Sequence, residues 1–221
     1  MKSKSSFSRL LNKLWAKFLT KFGDIKVFKF PFWLVYDPTF FRMTGEKILE
    51  VVDTLQPGDI ILRGYDYYLD GKFLNYAMLS TNDTEIGGSW SHGAIYIGDN
   101  RVIHAVAEGV SEESIIDFCE CDRIAIFRPK RGQKSAIKIA KKFLKDHVPY
   151  DFHFSNGSSA LYCFELAAHS YPKLKIPTYS YSRLFGILRK NNVYLAKSFV
   201  KSPDMELVWC YNPKFDIDFS A

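Results

Sequence analysis

The stretch "WSHGAIYIGDNRVIHA", residues 90–105, decides the fold. Gly98, Asp99 and Asn100 tolerate positive φ or cap the backbone locally, and the apolar, β-branched runs on either side are strand-formers. It therefore predicts two strands hydrogen-bonded through a tight turn. A histidine falls in each, His92 at the start of the first and His104 within the second, where a strand core ordinarily takes an apolar side chain. With the strands paired, a ring nitrogen of His104 comes within reach of His92.

Upstream, "LQPGDIILRG" (55–64) places a Pro-Gly turn before a β-branched run, so a sheet starts near Asp59, itself a turn-bonding residue. "GEKILEVVDTL" (45–55) predicts a short helix, and residues 65–90 an irregular excursion on one rim of the sheet. Downstream, "SIIDFCECDRIAIFRP" (114–129) supplies another strand or two, with Cys119 and Cys121 alternating on one face as buried thiols. "KSAIKIAKKFLKDH" (134–147) is helical, with Ala136, Ile139, Ala140, Phe143 and Leu144 inward. The C-terminal "IPTYSYSRLFGILRKNNVYLAKSF" (176–199) adds a helix and a strand, with Tyr179, Tyr181 and Arg183 at a cleft rim. An α+β domain with a mainly antiparallel sheet packed against helices is the economical arrangement.

The chain has 221 residues, 47% hydrophobic and 16% aromatic, enough for one real core. Four cysteines, irregularly spaced, make neither a disulfide framework nor a zinc pattern. No apolar run reaches the length of a membrane span, and lysines interrupt the N-terminal apolar run, so an intracellular, reducing location is expected. Of the net charge of +6, residues 1–30 carry +7, with eight Lys or Arg against Asp24, so the body of the chain has no nucleic-acid character.

In the N-terminal segment Phe7, Leu10, Leu11, Leu14, Trp15, Phe18 and Phe22 follow helical spacing, with Lys13, Lys17 and Lys21 on another face. Residues 1–22 read as a basic amphipathic helix that lies on an anionic membrane or docks on protein, and both readings stay open. "VFKFPFWLVYDPTFF" (27–41) reads as an extended aromatic connector, giving an N-terminal unit over 1–50 and a single domain over 51–221.

"SNGSS" (155–159) before "ALYCFELAAHSY" (160–171) places a capping serine, Ser158 or Ser159, ahead of a helical run, with Cys163 in or near its first turn. A helix N-terminus favours an anion, so this position predicts a thiol shifted toward thiolate. Glu165 points away from Cys163 and suits a neighbouring or backbone partner, Asp151 a loop cap. His147, His153 and His169 have structural explanations at a helix end, in a loop and along the helix. Spacing alone leaves His92 and His104 either as the base and orienting residue for Cys163 or as a pair of polar residues satisfied at a sheet edge.

Together "LQPGDIILRG", "WSHGAIYIGDNRVIHA", "PYDFHF" (149–154) and "LYCFELAAHSY" (161–171) resemble the circularly permuted, YiiX/YebB-like branch of the NlpC/P60 papain-fold proteins, with lecithin:retinol acyltransferase-like proteins as cousins. The order, histidine strand before cysteine helix, is the diagnostic part. The resemblance implies a permuted papain-like fold with an added N-terminal amphipathic helix, and a cysteine hydrolase acting through an acyl-enzyme. It makes Cys163 the nucleophile, His92 the general base, His104 the third member, and Tyr150 an oxyanion donor beside the Cys163 amide.

His104 stands where many YiiX-like proteins have glutamate and the acyltransferase-like cousins a second histidine, whereas "YCFEL" follows the YiiX form. An amide in a peptide is the leading substrate. A lipid acyl group at a membrane surface, acted on by a hydrolase or acyltransferase, is the alternative, and a catalytically inactive binding protein a third. The chemistry requires no metal or organic cofactor, and no nucleic-acid partner is expected.

Overall fold

A computed structural model describes residues 25–28, 33–36, 41–65, 81–82, 86, 89–157, 159–183 and 188–213. The expected N-terminal amphipathic helix lies outside these residues.

The 90–105 stretch forms the expected hairpin, as strands β6 (His92–Gly98) and β7 (Arg101–Val106). Asp99 and Asn100 take φ of 53° and 57°, the left-handed pair that a two-residue hairpin turn needs to match strand twist. Around it the strands β3 (Ile60–Gly64), β8 (Gly109–Ser114), β9 (Arg123–Pro129) and β12 (Met205–Tyr211) complete a six-stranded sheet. Its order is β12-β9-β3-β6-β7-β8 and every neighbouring pair is antiparallel. Among the described residues three two-stranded ladders accompany it: β1 (Ile25–Phe28) with β2 (Trp33–Tyr36), β4 (Thr81–Asn82) with β5 (Ser89–Trp90), and β10 (Tyr179–Arg183) with β11 (Leu188–Val193). The first of these puts strand residues within the 27–41 stretch, with Phe28 paired to Trp33.

Among the described residues the helices are α1 (Gly45–Thr54), α2 (Ile115–Phe118), α3 (Gln133–Lys145), α4 (Cys163–Ser170) and α5 (Ala196–Val200). Both faces of the central sheet are covered, which explains why "DIILRG" and "HGAIYIG" are apolar runs rather than alternating ones. On the first face Ile60, Leu62, Ile95, Ile103, Ala125 and Phe127 pack with residues of α3 and α4. On the second, Ile61, Ala94, Tyr96, Val102, Ile124 and Ile126 meet Val51 and Leu55 from α1 and its end, and Ile115 and Phe118 of α2.

The turn before β3 ties these layers together. Asp59 accepts from the Gln56 amide at 2.8 Å and, through both oxygens, from Arg128 Nε at 3.0 Å and Nη2 at 2.8 Å. The Gly58 amide donates to Tyr96 O at 2.7 Å, and the Tyr171 hydroxyl beyond α4 donates to Gly58 O.

Two expectations around the cysteines fail. Cys119 is the C-terminal cap of α2 and not a strand residue, because Ser114 caps the Asp117 amide and turns "IIDF" into a helical turn; Cys119 and Cys121 are still buried, in the second core. The start of α4 is also later than the serines imply. Tyr162 is its N-cap, in extended conformation and without a side-chain cap bond, since Leu161 is held beside Tyr150 in a parallel bridge.

Candidate active site

Strand alternation lines up four polar side chains on the second face of the sheet. Arg63 of β3 is directly opposite His92 of β6, while His104 of β7 is opposite Ala94, two residues along from His92. Glu113 of β8 is opposite Val102, two residues from His104. Residues two apart on a strand share a face, so Arg63, His92, His104 and Glu113 run diagonally across four strands.

The row is in contact. His92 Nε2 lies 3.0 Å from His104 Nδ1, with the rings edge-to-face at 5.1 Å. Glu113 Oε2 is 3.5 Å from His104 Nδ1 and also 3.5 Å from Arg63 Nη1. Phe118 of α2 closes the row from above, its ring 5.8 Å from His92, 6.0 Å from His104 and 4.4 Å from the Arg63 guanidinium, which donates to Phe118 O at 3.2 Å. Both histidines are buried. Burial, then the Arg63 charge, holds His92 well below the ordinary histidine range and brings His104 down to about 3, so both rings are neutral at pH 7.

Cys163 arrives from the first face. α4 packs there because Gly93 has no side chain: a Cβ at that position would lie 3.0 Å from the Phe164 ring. The close approach puts the first residue of α4 beside the start of β6, with Sγ 4.0 Å from Ser91 O. Among the described hydrogen bonds none joins Cys163 to His92, whose Nε2 is engaged by His104 and whose Nδ1 is the nitrogen left for another partner. The expectation of a thiol shifted toward thiolate is overturned. Burial pushes it up to about 11, against the backbone N–H groups of Gly93, Phe164 and Cys163 itself and the Arg63 charge, which act the other way but less strongly.

Tyr150 is brought alongside this helix start by the bridge to Leu161, two residues before Cys163, and its ring packs against Phe152 at 4.9 Å. Asp151 folds the following loop, accepting from the His153 amide at 2.8 Å and from the Ser155 amide and hydroxyl at 2.5 and 2.8 Å. Glu165 accepts from the Gly157 amide at 2.9 Å, and its burial pushes its carboxyl up to about 8. His169 is 3.9 Å from Glu165 and edge-on to Tyr194, whereas His147 and His153 lie just past α3 and in the loop. Of the cleft-rim residues, Tyr181 is buried in the first core and Tyr179 lies under the Lys197 ammonium, and the Arg183 side chain lies outside the described residues.

Arg63, Glu113 and Phe118 are the members that sequence reasoning passed over. A cation inside "DIILRG" was the available signal, since a lone charge in an otherwise apolar strand needs a buried partner.

The family of permuted papain-like amidase enzymes, YaeF/YiiX, C92, matches over residues 54–209. The chain belongs to that family. The crystal structure of metalloprotein yiiX from Escherichia coli O157:H7 is similar to this C92 member, with a TM-score of 0.54 and 17% identity, over 72% of this chain and 98% of that one. Comparison with curated proteins gives no match. Among the described residues no three His, Cys, Asp or Glu side chains gather to hold a metal ion, and His92 and His104 spend their facing nitrogens on each other. These described residues do not fit a metal ion. No helix among the described residues is long and apolar enough to cross a membrane.

Proposed function

We propose that this C92 amidase is a cysteine hydrolase acting through an acyl-enzyme, with an amide bond in a peptide as its substrate. The observation that carries the reading is the 3.0 Å contact between His92 and His104 in one buried hairpin, with Cys163 opening a helix against the same hairpin. Cys163 Sγ attacks the carbonyl carbon while His92 Nδ1 takes the thiol proton. His92 Nε2–H donates to His104 Nδ1, which fixes the ring and supports the imidazolium as it forms. The carbonyl oxygen becomes an oxyanion held by the Cys163 amide and the Tyr150 hydroxyl. Collapse expels the amine, which takes its proton from His92, and water activated by the same ring then releases the acid from the thioester.

Because thiol and imidazole both rest neutral, the proton moves during attack rather than beforehand. The test is cleavage of a panel of acyl-peptide amides beside lipid esters presented in vesicles. Cys163→Ala should abolish turnover and His92→Ala should lower kcat/KM by about 10²–10⁴-fold. Activity on lipid esters alone would move the substrate to the lipid class. Turnover surviving in Cys163→Ala would end the thiol mechanism.

A further inference from the structure

We propose that Arg63 and Glu113 form a positioning pair that selects the tautomer of His104 and, through it, the one in which His92 can act as a base. The inference rests on His92 being the base of the reaction above.

His104 Nδ1 has two polar neighbours, His92 Nε2 at 3.0 Å and Glu113 Oε2 at 3.5 Å, and a ring nitrogen offers either one proton or one lone pair. If Nδ1 carries the proton, His92 Nε2 must accept, and the neutral His92 then holds its own proton on Nδ1, where the base needs a lone pair. If Nδ1 is bare, it accepts from His92 Nε2–H and leaves His92 Nδ1 competent. A carboxylate beside Nδ1 favours the first arrangement. Arg63 reverses that preference, because its Nη1 takes the same Oε2 atom at 3.5 Å and draws the carboxylate charge toward itself. This also gives a reason for a cation in β3, opposite Ile124 and beside Leu62, where an apolar residue would cost less to bury. Phe118 keeps the guanidinium in place through its carbonyl and its ring. The other ionisable groups around the pair are Tyr65, Cys119, Cys121 and Cys163 near Arg63, and Arg101, Asp117 and Glu120 near Glu113.

The experiment is imidazole ¹H–¹⁵N NMR on the full chain, with kcat/KM in parallel, for wild type, Arg63→Met, Arg63→Lys, Glu113→Gln and the double variant Arg63→Met/Glu113→Gln. Wild type should show both rings protonated on Nε2. Arg63→Met should move the His104 proton to Nδ1, raise its titration midpoint and lower kcat/KM by about tenfold or more, a part of what a positioned base supplies. Arg63→Lys and Glu113→Gln should keep the wild-type tautomer, and Glu113→Gln should not raise the midpoint. The double variant should return His104 to the Nε2–H form and recover activity relative to Arg63→Met.

A wild-type ring already protonated on Nδ1, or single variants that shift the histidines in the same direction, would overturn the proposal. If Arg63→Met does not fold, the double variant, which buries neither charge, decides: His104 protonated on Nδ1 in it would be contrary. The two readings fail separately. Tautomers that change as stated in a chain without Cys163-dependent turnover would keep the pair and remove the hydrolase. Cys163-dependent turnover indifferent to Arg63→Met would do the reverse.

Discussion

Burial pushes the thiol of Cys163, the proposed nucleophile, up to about 11, so it rests protonated. Iodoacetamide labelling of Cys163 in the free protein should therefore keep rising with pH through 9 and 10, followed by mass spectrometry; a plateau reached below 8 would mean a preformed thiolate. The histidines give a second pH signature. Their folded values lie below the ordinary histidine range, about 3 for His104, so the unfolded chain binds protons that the folded one refuses. Their contribution is complete above about pH 6.5 and is lost as pH falls from there toward 3. Urea unfolding across that window should show stability falling toward acid, with a shallower slope in His92→Gln and His104→Gln; equal slopes in all three proteins would contradict it. The two histidines were legible because they interrupt an apolar hairpin. Arg63 and Glu113 were not, since their meeting depends on the register of four strands, which no local pattern contains.

At the scale of elements, the β6–turn–β7 hairpin was readable because turn chemistry and strand composition agree over one short stretch. The start of α4 was not: Ser159 stands in a loop shaped by Asp151 and Glu165, and the bridge between Tyr150 and Leu161 holds the chain extended until Tyr162. Strand β12 was missed as well, its pairing with β9 being set by residues some eighty positions apart. The contact that seats α4 is Phe164 on Gly93. Gly93→Ala forces its new Cβ against the ring at 3.0 Å and Leu62 at 3.3 Å, both buried and unable to yield freely. It should destabilise the protein by about 1–3 kcal/mol in denaturant titration and displace Cys163 from β6, so that activity falls more than stability explains. An alanine variant with full activity would show that α4 is seated by other contacts.

Across the whole molecule, a sheet buried on both faces carries the histidines on one side and seats the cysteine helix on the other, with Cys163 Sγ 4.0 Å from the Ser91 carbonyl just before β6. Asp59 anchors this arrangement by joining the β3 turn to Arg128 of β9. Asp59→Ala should cost about 1.5–3 kcal/mol, the scale of a charged hydrogen bond lost, measured by chemical denaturation; an unchanged midpoint would show that the turn holds without it. The central claim is that Cys163 becomes acylated with His92 as base. Intact-protein mass spectrometry after brief exposure to a p-nitrophenyl acyl ester tests it most directly, with the adduct located by peptide mapping. The account predicts one acyl group on Cys163, absent in Cys163→Ala and formed far more slowly in His92→Gln. An acyl group carried elsewhere, or formed on Cys163 at the same rate without His92, would contradict it.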